Sequence, residues 1–157
     1  MKKNNFLTKF KILKLTSGLA IGTGLILVSG GVWGIFFTYT NVAQENIITS
    51  SDASLPNQPV RGPITLKAQS EIIRQHVLGS TDGLTYSDLP REISITDNDG
   101  KSRLISNPDR DLWVTAITLM TALNLAIITY LFSGLVILLG LISIWTGFVF
   151  RLLGQKK

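Results

Sequence analysis

Hydrophobic positions in this chain fall into two long unbroken runs with a mixed segment between them. Leu15 to Tyr39 is 25 residues without a charge, and Leu112 to Phe150 is 39. A helix that spans a bilayer needs about 20 apolar residues, so the first run predicts one transmembrane helix. The second would be roughly 58 Å long as a single helix, against a hydrocarbon core of about 30 Å. A hairpin turning at Ser133-Gly134 is one solution, but it leaves backbone groups of the turn hard to satisfy in lipid. It also places Arg151, Lys156 and Lys157 outside. One long helix whose outer part projects is favoured. Thr115, Thr118, Thr121 and Asn124 concentrate polarity in that outer part, and Tyr130 to Phe150 is almost purely apolar. Asn107 predicts the N-cap, with Pro108 at the first helical position and Asp109 and Asp111 near the positive end of the dipole.

Within both runs the small residues are patterned. Gly18/Gly22, Ala20/Gly24 and Gly30/Gly34 are small pairs four apart, and Ala126, Ser133, Gly140 and Gly147 recur every seven residues. Small residues at such spacings let helix backbones approach closely in lipid, and a seven-residue repeat fits left-handed packing. The predicted packing set is Gly18, Gly22, Gly30 and Gly34 against Ala126, Ser133, Gly140 and Gly147. The partner is the chain's own second helix or another copy.

The mixed segment has shorter periods. Ser50 to Pro63 reads as a loop, broken by Pro56, Pro59, Gly62 and Pro63. Ile64 to Leu78 reads as a helix closed by Gly79. Its stripes, Ile64/Ala68/Ile72 and Leu66/Ile73/Val77, call for cover on two sides, one from the membrane helices and one from a hairpin. Glu92 to Thr96 and Ser102 to Ile105 read as the strands of that hairpin, with Asp99-Gly100 as the turn signal.

Charge assigns the sides. All ten acids lie between Glu45 and Asp111, among seven Lys and Arg, while the other eight Lys and Arg lie at the two ends with no acid among them. Basic flanks stay cytoplasmic. The expected fold is therefore a mainly α membrane protein: two long antiparallel transmembrane helices with a small α-helical extracytoplasmic domain that includes a β-hairpin. Residues 1–14 form a basic cytoplasmic N-terminus, 15–39 the first span and 40–106 the extracytoplasmic domain. Residues 107–150 form the long helix, and 151–157 a basic cytoplasmic C-terminus. The expected location is the cell (inner) membrane, multi-pass, with the first run an uncleaved signal-anchor. That run exceeds the 7–15 apolar residues of a signal peptide and ends in Trp33, Phe36, Phe37 and Tyr39, suited to an interfacial belt. The net charge of +5 belongs to the ends and points to lipid headgroups, with no nucleic-acid partner.

Candidate chemistry is sparse. There is no cysteine and one histidine, His76. Glu71, five residues from it, lies off its helix face, and catalytic or metal sites need more converging groups. Asp97-Asn98-Asp99-Gly100 faintly suggests a calcium loop, but Ile95 stands where the first ligand belongs, so a hairpin turn is the better account. No cofactor and no enzyme activity are expected. The leading expectation is a structural or accessory subunit with the bilayer and a membrane protein or second copy as partners. The alternative is an extracytoplasmic sensor or ligand-binding module using Arg61, Gln69, Arg74, His76 and Tyr86.

One set of short motifs adds a resemblance. Trp33-Gly34 is followed by Glu45-Asn46-Ile47, Asp52-Ala53, Val60-Arg61-Gly62-Pro63, Ala68-Gln69, His76, and Thr81-Asp82-Gly83-Leu84-Thr85-Tyr86. In this order the chain resembles a family of small bacterial two-span membrane proteins with an extracytoplasmic loop, often labelled automatically as aromatic ring-opening dioxygenases. The resemblance implies architecture. Extradiol cleavage relies on iron held by two histidines and a carboxylate, and one histidine cannot supply that set. It further implies that Arg61-Gly62-Pro63 and Thr81 to Tyr86 shape the outer domain, with Asp82-Gly83 as a tight turn.

Overall fold

The computed structural model describes residues 2–97 and 99–155, with side chains from Phe10 onward. Five elements follow in order: α1 (Lys2–Gln44), α2 (Pro63–Ser80), β1 (Glu92–Thr96), β2 (Ser102–Ser106) and α3 (Pro108–Leu153). Two compact units result, Met1–Asn41 with Ile128–Lys157, and Val42–Ile127.

The first unit is a pair of long helices. α3 runs 46 residues through Ser133 and Gly134 without a break, so the second apolar run is one helix. α1 begins at Lys2 and continues to Gln44, so residues 2–14 of the basic N-terminal segment are helical. Both helices are long and apolar enough to cross a membrane. They pack antiparallel: Ser17 meets Gly147, Ala20 meets Ser143, Gly24 meets Gly140, and Gly31 meets Ser133.

The contact is built on a seven-residue period in both helices. On α1, Ser17, Gly24, Gly31 and Thr38 are buried, and on α3, Ser133, Gly140 and Gly147 are buried. A Cβ on Gly24 would stand 2.6 Å from the Gly140 carbonyl oxygen, and one on Gly140 would stand 2.8 Å from the Gly24 carbonyl oxygen. Backbone thus lies on backbone, which only glycine permits. Gly34 faces the Ser133 hydroxyl. The other three glycines expected in this contact are not in it. A Cβ on Gly18, Gly22 or Gly30 would meet nothing within 4 Å. Spacing of four carries residues around the helix, away from a partner that follows a period nearer 3.5. Ala126 is half-buried and belongs to the second unit.

The second unit is the small mixed segment plus the first turns of α3. α2 starts at Pro63, where the Thr65 hydroxyl accepts the backbone N–H groups of Arg61 (3.1 Å) and Gly62 (3.2 Å). It passes through Gly79 to Ser80, two residues beyond the expected close at Leu78. The stop is made instead by Asp82 and Gly83, at φ 51° and 79°. The Gly83 N–H donates to the Leu78 carbonyl at 2.8 Å, a Schellman-type closure with Asp82 in the left-handed position. β1 and β2 pair antiparallel from Glu92↔Ser106 to Thr96↔Ser102, and Gly100 turns the chain at φ 75°.

Val77, Leu89, Trp113 and Ala116 form the buried cluster, with Ile73, Leu78 and Met120 packed on it. One side of α2 is therefore covered by α3. Of the other stripe, Ala68 and Ile72 are buried, but Ile64 is exposed. The hairpin's Leu104 is also exposed, and the element tied to α2 by a side chain is the 45–62 loop, through Asp52. The loop is held by Thr49, whose N–H donates to Gln58 O at 2.9 Å and whose hydroxyl accepts the Gln58 N–H at 2.8 Å.

Candidate functional site

In the Val42–Ile127 unit, the segment Thr81–Leu89 is laced to the start of α3. Asn107 caps that helix: its Oδ1 accepts the Asp109 N–H at 3.0 Å and its Nδ2 donates to Pro90 O at 3.0 Å. One turn on, Arg110 Nη1 donates to Leu89 O at 2.7 Å and to Tyr86 O at 3.1 Å. Its guanidinium also lies over the Tyr86 ring, 3.9 Å from the centroid, a cation–π contact. Trp113, 2% exposed, donates its indole N–H to Leu84 O at 3.0 Å and to the Thr81 hydroxyl at 3.3 Å. That hydroxyl donates within the same knot, to Leu84 O at 2.7 Å or Val77 O at 2.9 Å. A buried indole N–H needs such partners, and here they fix a loop that has no regular structure of its own.

A second cluster joins the 45–62 loop to α2. His76 Nε2 lies 2.7 Å from Asp52 Oδ2, and the Ser50 hydroxyl donates to Asp52 Oδ1. The His76 hydrogen bond, and then that of Ser50, lower the Asp52 carboxyl from its ordinary 3.8 to about 2. Both side chains of the His76–Asp52 pair are more than half exposed. The order is carboxylate between hydroxyl and imidazole. Activating a serine requires the imidazole in the middle, bonded to the hydroxyl. The arrangement can clip a loop to a helix, but it does not present an activated nucleophile.

The five residues singled out from the sequence as a binding surface thus go to separate tasks. His76 holds Asp52. Tyr86 sits under Arg110, and Arg74 lies 5.9 Å from the Trp113 ring centroid. Arg61 is exposed and its backbone caps α2. Gln69 turns its Oε1 inward, buried without a hydrogen-bond partner. Gln69 and His76 are two turns apart on one face of α2, whereas Arg74 and Tyr86 serve the α3 end of the unit. Among the described residues, no three His, Cys, Asp or Glu gather as a metal site. Reading by local spacing missed Thr81, Arg110 and Trp113. The available signal was a tryptophan and an arginine three apart in the first turns of a capped helix, where neither suits lipid.

No family model, curated protein or solved structure matches the chain.

Proposed function

We propose that this is an integral membrane protein of two spans that acts as a structural or accessory subunit. Both ends are cytoplasmic, residues 40–106 are extracytoplasmic, and the membrane is the cell (inner) membrane. The observation that carries this reading is the outward surface of the α1–α3 pair. Leu19, Ile26, Leu131, Phe132 and Trp145 are each more than 60% exposed, and only 11% of each apolar window is buried. A core helix of a water-soluble protein would be mostly covered, and an apolar surface this continuous needs lipid or another apolar partner around it. The basic ends supply the orientation.

The accessory role is supported by how the polar side chains are used. Thr81, Arg110, Trp113 and Asn107 spend their hydrogen bonds on holding a loop in one shape, which suits a surface presented to a partner in the membrane. The experiment is protease and tag accessibility in intact cells. External protease should reach the 50–63 loop while tags at Met1 and Lys157 stay protected. An externally accessible Lys157 tag would overturn the topology.

A further inference from the structure

We infer that the α1–α3 pair holds one anionic phospholipid at its basic end. Its phosphate lies between Lys14 and Arg151, and an acyl chain lies along the adjoining face of α3. The inference rests on the membrane reading above. It starts from the level of the two side chains. Ser17 bonds to Gly147, and the Leu13 Cβ lies 3.7 Å from where a Cβ on Gly154 would be. Lys14 falls between Leu13 and Ser17, and Arg151 between Gly147 and Gly154, so the two occupy one level on opposite helices.

They also occupy one side. At about 100° per residue, Lys14 is rotated roughly 60° from Ser17, and Arg151 roughly 40° from Gly147, in the same sense about its own helix. The helices run in opposite directions, so equal senses bring both side chains to the same side of the contact. Lys11 follows at roughly 120°. All three are exposed, and none pairs with an acid among the described residues. No acid lies within thirty positions of Lys14 or Arg151 along the chain. Two cations on one side, without a counter-ion, recognise a phosphodiester.

What makes the ligand a lipid is the surface beside them. Ile144 and Phe148 lie on that same side, roughly 60° and 100° from Gly147. With Leu141, Trp145 and Leu152 they line an open groove of about 770 Å³ that is almost wholly apolar. Arg151 stands next to Leu152 at its end. Charged head and apolar trough thus meet at the end of the pair where headgroups belong.

The test is thermal unfolding of the full-length protein in neutral detergent, titrated with phosphatidylglycerol, phosphatidylcholine or inorganic phosphate. Phosphatidylglycerol should raise the melting temperature saturably, and the other two should not. Lys14→Gln with Arg151→Gln should weaken the apparent affinity roughly 25-fold, about fivefold for each charge. Lys156→Gln with Lys157→Gln removes the same net charge and should leave it nearly unchanged. Equal losses in both double variants would show diffuse attraction and overturn the site, as would equal stabilisation by inorganic phosphate. Leu141→Trp fills the groove from its own lining, so it should abolish the response while leaving the melting temperature in phosphatidylcholine unchanged. A full response in Leu141→Trp would overturn the acyl seat. None of these readouts depends on which way the protein faces, so failure here and failure of the topology experiment are separable.

Discussion

The Ser17 hydroxyl donates to the Gly147 carbonyl at 2.7 Å, joining α1 to α3 across 130 positions of chain. Close approach at Gly147, where a Cβ would stand 3.0 Å from the Ser17 carbonyl oxygen, brings the hydroxyl within reach. Ser143 makes the reciprocal bond to Ala20 O at 2.8 Å. Ser17→Ala should cost about 0.6 kcal/mol, the usual worth of a hydrogen bond between membrane helices, read as a small shift in resistance to denaturation in micelles.

Larger effects belong to the glycines under the contact. A Cβ on Gly24 meets both the Gly140 carbonyl and the Ile144 side chain at 2.6 Å. Gly24→Leu or Gly140→Leu should cost at least the roughly 1–3 kcal/mol of overpacking, seen as loss of helix pairing by cysteine cross-linking of engineered positions. Gly30→Ala meets nothing and should be neutral or slightly stabilising. Equal damage at Gly24 and Gly30 would refute the contact.

In the Val42–Ile127 unit the indole is the heaviest contributor. Trp113→Ala opens the cluster of Val77, Leu89 and Ala116 and releases the Thr81 and Leu84 bonds. It should destabilise by about 3–5 kcal/mol, and amide exchange should rise over Thr81–Leu89. Arg110→Lys keeps the charge but loses the planar fork, so it should loosen the same segment by less.

The Asp52 clip has a defined acid limit. Its carboxyl titrates lower in the folded chain, at about 2, than its ordinary 3.8. A lowered carboxylate contributes stability above the unfolded value and loses it as pH falls through the folded one. The contribution should therefore be complete above pH 3.8 and vanish towards pH 2. His76→Ala should move the Asp52 titration upward, followed by carboxyl NMR shifts, with Ser50 still holding it partly down.

Purified protein should contain iron well below one atom per chain by elemental analysis. The chain has one histidine and no cysteine, and carboxylates and carbonyls alone favour magnesium or calcium. Stoichiometric iron that disappears in His76→Ala would revive an oxygenase reading.

The helices and their packing were unequally legible. Absence of charge over 25 and 39 residues marks both long helices, and the α3 contact face is visible because Ser133, Gly140 and Gly147 recur at seven. α1 carries six glycines between Gly18 and Gly34, enough to satisfy spacings of four and of seven at once. Spacing of four led to Gly18 and Gly22, and the true face is Ser17, Gly24, Gly31 and Thr38. The loop ties were hidden for another reason. Asp52 and His76 are 24 positions apart, as are Tyr86 and Arg110, and no local period encodes a pair at that distance. The end of α2 was misjudged because Gly79 looks like a stop, whereas Asp82 takes the left-handed position.

The repeating contact between α1 and α3 carries an ambiguity. Slide α3 by one heptad, roughly 10 Å, and Ser17 comes opposite Gly154, Gly24 opposite Gly147, Gly31 opposite Gly140 and Thr38 opposite Ser133. Each of these four positions again meets a small residue, but Ala20, which meets Ser143 in the observed register, would meet Phe150. The ladder therefore does not choose its own rung. That choice falls to the residues between the rungs, of which Ala20 and Ser143 form one bonded pair.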